Sequence, residues 1–535
     1  MVGIHAQTPI VTSVVRPPCD EGVLAAGSPA EPPCPPEHRA WVLTATILAS
    51  AMVFIEGSAV NVALPAFQSA LDASVVDIQW IVNSYTLFLA ALILLGGSLG
   101  DRFGRRRVFI IGLVMFALSS IACGLAADTK QLIIARGFQG VGGALLTPGS
   151  LAIITAAFPQ NERGRAIGLW SGFSAMTAAI GPVLGGWLVD HLSWRWIFFV
   201  NLPIAVIVLA ISLRFVPESR DDNAHGSLDF RGALLATAGL GSLTWGILES
   251  SNRGFGDPLI PGAILVGAVL IVAFIRAEQQ SNVPMMPLRL FRSRTFAGAN
   301  LLTLFLYAAL AGTLFFFPMN LVQVHGYSAT GAGAALLPFI LLLSVLSRWS
   351  GGLIARYGAR LPLTVGPLVA AAGFALFAVP GTEGGYVGTF LPAVVVLGLG
   401  MALSVAPLTT AVMNAVPVET AGTASGINNA VARLAGLLAV AIFGIVMLHV
   451  FSRGLASGLA AIDVPEPLRE AVLGRKSDLA AITLPSELSE AASQEIRQVI
   501  AESFVSGFRV LMLLGAALAA AAGLVAWRMI GADRD

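Results

Sequence analysis

The chain has 535 residues, of which 56% are hydrophobic and 11% are charged, and its mean hydropathy is +0.82. Soluble domains carry about 25% charged residues, so this composition excludes an ordinary soluble protein and indicates an integral membrane protein. The formal net charge of +1 gives no indication of a nucleic-acid partner, and three cysteines are too few for a disulfide framework.

Residues 1–40 contain eight prolines, including Pro32-Pro33 and Pro35-Pro36. Such a segment cannot pack a hydrophobic core, so it is predicted to be a disordered tail. The apolar run at Val11–Val15 is too short for the core of a signal peptide, and no basic residue precedes it. We therefore expect the tail to stay in the cytoplasm.

Apolar runs follow the tail, and each is long enough for a membrane-spanning helix, which needs about 20 residues. They begin near residues 41, 79, 107, 131, 164, 195, 230, 259, 295, 329, 361, 388, 423 and 506. The strands of a β-barrel would be about half as long and would alternate in hydropathy. The sequence therefore predicts an all-α polytopic membrane protein with fourteen transmembrane helices.

The basic residues between these runs indicate the orientation. If the N-terminus is inside, the inner connections carry most of the arginines, and the short outer connections carry only Lys130, Arg195 and Arg253. Positive residues in short loops favour the cytoplasmic side of the membrane. We therefore expect a multi-pass protein of the cytoplasmic membrane. Both of its termini are expected in the cytoplasm.

The first span contains FIEGSAVNVALP (Phe54–Pro65), and Glu56 is the only charge between Trp41 and Phe67. A charge at this depth, roughly 20 Å along the helix from Trp41, costs about 2.5–3.5 kcal/mol even on insertion scales. Desolvation favours the protonated form of a carboxyl group, which can then take up a proton on one side and release it on the other. Glu56 is therefore predicted to carry a proton across the membrane, which could be coupled to the transport of another molecule. The alternative is a structural glutamate bonded to nearby backbone or hydroxyl groups.

The fourth span contains Arg136, with Gln139 three residues later on the same helical face. A guanidinium stays charged at working pH, so its expected role is to bias a nearby carboxyl group towards ionisation. Glu56 is the only acid that the sequence places inside the bundle. The alternative is that Arg136 anchors two helices by binding backbone carbonyls.

A short phrase recurs after the second and tenth spans, as GGSLGDRFGRRR (Gly96–Arg107) and GGLIARYGAR (Gly351–Arg360). Such internal duplication is typical of transporters that rock two halves about a central site. Eight spans separate the copies where a six-plus-six duplication needs six, so two spans were inserted between the halves. The predicted organisation is a tail (1–40), an N-terminal six-helix half (41–214), two inserted helices (215–280) and a C-terminal six-helix half (281–535).

The C-terminal half includes a polar segment at residues 451–505, predicted to be an external loop. It contains amphipathic stretches such as SELSEAASQEIRQVIAESF. Two interpretations stay open: a small cap of surface helices, or a docking site for a periplasmic or envelope partner.

The phrase after the second span resembles the signature loop of the major facilitator superfamily between its second and third spans. The matching residues are Gly97, Leu99, Asp101, Arg102, Gly104, Arg105 and Arg106. The fifth span resembles the antiporter motif of drug and metabolite exporters through Gly168, Gly181, Pro182, Gly185 and Gly186, although Thr177 stands where that motif has a glycine.

Two further phrases narrow the resemblance. NVALP in the first span and SWRWIFFVNLPI (Ser193–Ile204) are similar to phrases of the fourteen-span drug:proton antiporters of the EmrB/QacA type. The resemblance implies the major facilitator fold with two inserted helices. That family usually has an aspartate in the neighbourhood of Glu56, and its fourth-span arginine, matched by Arg136, is linked to proton transfer.

The resemblance also implies a conformational latch made by Asp101, Arg102, Gly104 and Arg105. The acid would face the N-terminus of the thirteenth span near Thr420–Ser425, whose partial positive charge attracts it. The simpler interpretation is that the arginines only hold the loop inside.

A substrate pocket is expected between the halves at mid-membrane. The candidate lining residues are Asn83, Tyr85, Gln139, Asn300, Tyr307 and Gln323, with the phenylalanines at 315–317. The tenth span has no acid, which favours a neutral or singly charged lipophile over a strongly cationic substrate.

The sequence therefore predicts a proton-coupled antiporter that exports lipophilic drugs or metabolites and confers drug resistance, with protons, a small substrate and the bilayer as its partners. No cofactor, metal or nucleic acid is expected. The first alternative is a proton-coupled uptake symporter, against which the Gly181-Pro182 phrase argues. The second is a transporter-like membrane sensor or enzyme, for which no metal spacing, nucleophile elbow or phosphate loop was found.

Overall fold

The computed structural model describes residues 34–220, 229–254, 256–281, 284–350, 352–416, 420–485 and 488–531. Most of the predicted tail and Gly351 of the second repeat lie outside these ranges. Within them the secondary structure consists of helices and their connections, with no strand.

Six helices form the N-terminal half. They are α1 (Pro36–Leu71), α2 (Val75–Phe103), α3 (Arg105–Leu125), α4 (Thr129–Ala157), α5 (Gln160–His191) and α6 (Trp196–Phe215). The first helix begins at Pro36, so the last residues of the predicted tail are already helical. Proline in the first turn is favourable, because that turn has no intrahelical partner for a backbone N–H.

Eight longer helices follow. They are α7 (Phe230–Arg253), α8 (Leu259–Gln280), α9 (Arg294–Val324), α10 (Ala329–Ala334 and Leu337–Ser350), α11 (Arg360–Phe377), α12 (Leu391–Asn414), α13 (Ala421–Ala460) and α14 (Glu490–Met529). The last turn of α9, Asn320–Val324, is a π-helix. Shorter helical segments in the described residues lie at Leu288–Arg292, Leu353–Tyr357, Tyr386–Thr389, Glu466–Gly474 and Lys476–Ala481.

Within the described residues, twelve helices are long and apolar enough to cross a membrane. The predicted count of fourteen is not confirmed, because α5 and α7 are not among the twelve. The interior of α7 is rich in glycine, serine and threonine, which lowers its hydropathy although the helix is 24 residues long.

Local capping explains several helix boundaries. Ser74 and Asp77 form a reciprocal capping box at the start of α2, with bonds of 3.2 and 3.0 Å. The side chain of Asp128 caps α4. Gly104 separates α2 from α3 with a φ of 107°, a backbone conformation that residues with a side chain rarely adopt.

The helices pack as two halves with the inserted pair at the side. In the N-terminal half α2 and α3 pack on α4, and α1 packs on α5; in the C-terminal half α11 packs on α12 and α14, and α9 on α13 and α14. The inserted helices α7 and α8 pack on each other, and α7 contacts α2 and α13. One buried cluster is built from the N-terminal half alone, and a larger one runs through both halves.

The alternating helices give the bundle two ends, named here by one residue each. The Gly104 face carries the connections that follow α2 and α6. The Asp190 face carries the ends of α1, α5 and α9. These names are kept below.

The segment between α13 and α14 is shorter than the predicted loop at 451–505. Helix α13 continues to Ala460, and α14 begins at Glu490, where Ser489 caps it. From Glu490 onward, the amphipathic stretch quoted above is therefore the first part of α14. The connection lies against α1, because Gln68 donates to the carbonyl oxygen of Asp478 at 2.7 Å.

Candidate functional site

Glu56 of α1 and Arg136 of α4 form a buried ion pair. Arg136 Nη1 donates to Glu56 Oε1 at 2.8 Å, and the two residues are 0% and 1% exposed. The two charged residues that the sequence analysis singles out, because their burial in the membrane costs free energy, are therefore partners. A buried carboxylate and guanidinium persist only when their remaining polar atoms are also bonded, so their surroundings decide what the pair does.

Three further side chains complete what we call the Glu56 cluster: Ser120 of α3, Gln139 of α4 and Asn201 of α6. Asn201 donates to Glu56 Oε2 at 2.6 Å, and Arg136 Nη1 also donates to Gln139 Oε1 at 2.6 Å. The amide of Gln139 donates to the hydroxyl of Ser120 at 2.9 Å. All three side chains are buried, so both carboxylate oxygens of Glu56 have a donor in a site without solvent.

The guanidinium of Arg136 also binds α2. Its Nε donates to the carbonyl oxygen of Ile81 at 3.1 Å, and its carbon lies 4.3 Å from the ring centroid of Tyr85. Both contacts attract the cation whether or not Glu56 is ionised. The two structural alternatives of the sequence analysis, carbonyl anchoring and pairing with Glu56, therefore occur together.

Asn201 and Ser120 were missed by the sequence analysis. Asn201 lies in the quoted phrase SWRWIFFVNLPI, where it is a polar residue in an apolar span, and this signal could have identified it. Ser120 gives no comparable signal, because a single serine is common in membrane helices. Its hydroxyl bonds the Phe116 carbonyl at 2.9 Å as well as Gln139.

The two halves close on each other at the Asp190 face. Asp190, at the end of α5, accepts hydrogen bonds from the backbone N–H groups of Ala329 (3.0 Å) and Thr330 (2.8 Å) at the start of α10. A side chain at Gly186 would overlap the backbone of Ala329, and one at Gly333 would overlap that of Pro182. Helices α5 and α10 therefore approach at backbone contact.

The glycines of the predicted antiporter motif also bring α5 against α1. A Cβ at Gly185 would lie 2.6 Å from that of Ala59, and one at Gly181 would overlap Ser58. Ser58 and Ala59 follow Glu56 by one turn or less, so the motif packs directly beside the Glu56 cluster.

The loop at the Gly104 face makes several contacts within its own half. Asp101 pairs with Arg105 at 2.9 Å. Glu218, after α6, accepts from the backbone N–H of Arg106 at 3.1 Å and pairs with Arg107 at 3.6 Å. The sequence analysis missed Glu218, for which no signal was present.

The sequence profile described as Major Facilitator Superfamily matches residues 46–440. The chain belongs to the major facilitator superfamily. It is a multi-pass membrane protein, and its family and fold are those of transporters of small molecules rather than enzymes.

Curated relatives in the superfamily are similar over most of their length. The "Tetracenomycin C resistance and export protein" of Streptomyces glaucescens is 32% identical over 91% of each chain, and the "Multidrug resistance protein Stp" of Mycobacterium tuberculosis (strain ATCC 25618 / H37Rv) is 34% identical over 93% of each. The "Puromycin resistance protein pur8" of Streptomyces alboniger is 35% identical over 77% of this chain and 82% of its own.

Solved structures share the fold. A bacterial homologue of the human lysosomal transporter Spinster, in an inward-facing and occupied conformation, matches with a TM-score of 0.65 at 18% identity, over 92% of this chain and 98% of its own. The nucleoside transporter NupG, solved as a point mutant, matches with a TM-score of 0.59 at 12% identity, over 92% of this chain and all of its own.

The contacts of the six predicted pocket residues of this superfamily member place them at several points of the bundle. Asn83 and Tyr85 are buried on α2, and Gln139 belongs to the Glu56 cluster. Asn300 accepts from Asn428 of α13 at 3.2 Å, and Tyr307 is partly buried on α9.

Gln323 is not at mid-membrane. It lies in the π-helical last turn at the Asp190 face, where it donates to Gln68 at 2.9 Å, because it is the penultimate residue of the 31-residue helix α9. The phenylalanines at 315–317 are buried, and Phe317 packs on Phe377 and Phe390 with centroids at 4.9 and 5.4 Å. They pack the C-terminal half.

Proposed function

We propose that this chain exports lipophilic drugs or antibiotic-like metabolites across the cell membrane in exchange for protons. Relatives named for antibiotic export and resistance support the export of drugs by a transporter of this superfamily. The observation that carries the proton coupling is the buried pair of Glu56 and Arg136, because an ionisable pair inside the membrane marks an ion pathway by default.

The coupling step is the protonation of Glu56. A proton on this carboxyl group removes its attraction for Arg136, which cannot lose its own charge. Arg136 would keep its bonds to Gln139 of α4 and to the Ile81 carbonyl of α2. Only its link to α1 would therefore weaken. Because α1 packs on α5 at Gly185, and the next residue, Gly186, meets α10, a change at Glu56 would reach the closure between the halves.

The finer assignment within the superfamily is the fourteen-span drug:proton antiporter type. Helix α5 has 32 residues and α7 has 24, which is enough for each to cross the membrane. The packing of α7 on α2 and α13 supports the insertion of α7 and α8 between two six-helix halves.

The arginine-rich Gly104 face is assigned to the cytoplasm by the distribution of positive residues. The Asp190 face is then external, and its closure through Asp190, Gly186 and Gly333 supports a state that loads substrate from inside. The segment 461–489 would be an external cap, since it is bonded to α1 through Gln68 and Asp72. Asp101, Arg102, Gly104 and Arg105 are proposed as the latch on the opposite side.

Transport by the purified protein in liposomes tests this proposal, with puromycin and tetracenomycin C as probes and an imposed pH gradient. We expect uphill movement of at least one probe, accompanied by proton movement in the opposite direction and abolished by a protonophore. Glu162→Gln is the matched control, because Glu162 is a carboxylate paired with Arg39 at the Gly104 face, outside the cluster. Uphill transport that ignores the pH gradient would contradict the coupling, and no transport of either probe would contradict the export of these drugs.

A further inference from the structure

Arg433 is a cation on α13 that the coupling site does not use. It lies twelve residues after Ala421, about 18 Å along the helix and therefore within the membrane. Its Nε donates to Asn429 Oδ1 at 3.1 Å. In the part of the chain that the structure describes, no carboxylate forms an ion pair with it. An arginine at this depth without a carboxylate partner calls for a function.

Neighbouring contacts show which way this part of α13 faces. Gly426 packs on Leu94 of α2, and the carbonyl of Val440 accepts from Gln79 of α2. Positions 426, 433 and 440 are seven residues apart and so share one face of the helix. Arg433 therefore faces α2 of the other half, between two points where α2 and α13 touch.

Tyr85 lies on α2 between Gln79 and Leu94, two residues of α2 that contact α13 beyond either side of Arg433, and so lies at the level of Arg433. The Tyr85 ring covers Arg136, but its hydroxyl is buried and has no hydrogen-bond partner among the described residues. Both amide atoms of Asn83 are in the same situation. Buried polar groups in native proteins are normally bonded, so these orphans point to an occupant.

The surroundings of Arg433 are also accessible to solvent. Arg433 is only partly buried, and Asn429, one turn earlier on the same face, is exposed although it lies deep in a membrane span. Because this face is turned towards α2 rather than away from the bundle, the exposure indicates a space between the two halves.

We propose that Arg433 is a specificity residue that binds the acidic group of an exported compound, a carboxylate or an ionised phenol. A guanidinium has five N–H donors in a planar fork that matches such groups, and only the Nε–H is used by Asn429. Asn429 and the hydroxyl of Tyr85 supply further hydrogen bonds. This inference rests on the export function proposed above.

Binding of two probes that differ in one charge tests the role of Arg433. The probes are dansyl-phenylalanine, a carboxylate, and its uncharged methyl ester, titrated by fluorescence into purified protein in phosphatidylcholine nanodiscs. Arg433→Gln should weaken binding of the acid by roughly tenfold to a hundredfold, the worth of a charged hydrogen bond, and leave the ester within about twofold. Arg433→Lys keeps the charge and should retain most of the affinity for the acid.

The matched control is Arg509→Gln, which removes an arginine that binds the carbonyl of Pro380 at the Asp190 face. It should change the affinity for neither probe. Three results would overturn the inference: an equal loss of affinity for both probes in Arg433→Gln, an unchanged affinity of that variant for the acid, or no binding of the acid by the wild type. Puromycin transport by the same purified proteins in liposomes separates this outcome from a failure of the export function, which would abolish transport in the wild type.

Discussion

The carboxylate of Asp190 accepts two hydrogen bonds from Thr330, one from the backbone N–H at 2.8 Å and one from the hydroxyl at 2.6 Å. With the bond from the Ala329 N–H, a side chain of one half caps the first turn of a helix in the other half. The negative charge also lies at the helix end that attracts it. The contact through Asp190 is polar and charged, whereas the neighbouring contact at Gly186 and Gly333 is close packing of the two helix backbones.

Replacing Asp190 by asparagine should loosen the closure at this face. The charge-assisted bonds are worth about 1.5–3 kcal/mol, so their weakening should raise the open population roughly tenfold or more. Spin labels at Leu192 and Val387, both exposed at the Asp190 face, would report a longer distance in double electron–electron resonance. Asp257→Asn is the control, because Asp257 pairs with Arg253 away from the closure. An unchanged distance distribution in Asp190→Asn would show that glycine packing alone holds the face closed.

Glu56→Gln should abolish uphill export and substrate-driven proton release, because the amide keeps the shape but cannot titrate. Exchange of substrate down its gradient should survive. Glu56→Asp, which keeps a titratable group, should retain partial activity. Counterflow and proton-coupled transport are compared in the same liposomes, and a Glu56→Gln protein that still pumps uphill near the wild-type rate would move the proton pathway elsewhere.

The same substitution has a stability consequence. Removing one partner of a buried ion pair leaves the other charge uncompensated, at a cost of about 3–5 kcal/mol. Glu56→Gln should therefore lower the thermal midpoint in detergent, and the double variant with Arg136→Gln should recover part of that loss. No recovery in the double variant would mean that Arg136 is held chiefly by Gln139, Ile81 and Tyr85.

Asp101→Asn should impair transport while the amount of protein in the membrane stays near normal. Its ion pair with Arg105 is partly exposed, and pairs of this kind contribute about 0–1 kcal/mol to folding. The expected effect arises from the latch, which biases one conformation over another. Transport rate per molecule and membrane abundance are measured together, and loss of the protein with unchanged specific activity would favour a purely structural role.

Reporter fusions at residues 222 and 255, both outside the described residues, test the fourteen-span topology. They lie before and after α7, so the first should be internal and the second external. If both fusions report the same side of the membrane, α7 does not cross it. The two inserted helices would then not be a pair of membrane spans.

Local sequence properties determined much of this protein. Hydropathy marks most of the spans, the arginine loops predict their orientation, and the cost of burying Glu56 and Arg136 singles out, without any coordinates, two residues that the structure pairs. Each of these signals depends on a residue and its near neighbours, which is why a single sequence carries it.

Only the tertiary structure decided which residues meet. Asn201 reaches Glu56 across 145 residues, and Asp190 reaches Thr330 across 140, and neither pairing leaves a local trace. Gln323 was misplaced for a simpler reason: α9 runs to Val324, so this residue lies at the Asp190 face and not at mid-membrane. The rotation of each helix about its axis selects its neighbours, and that rotation is fixed by glycine contacts and side-chain packing among all the helices at once.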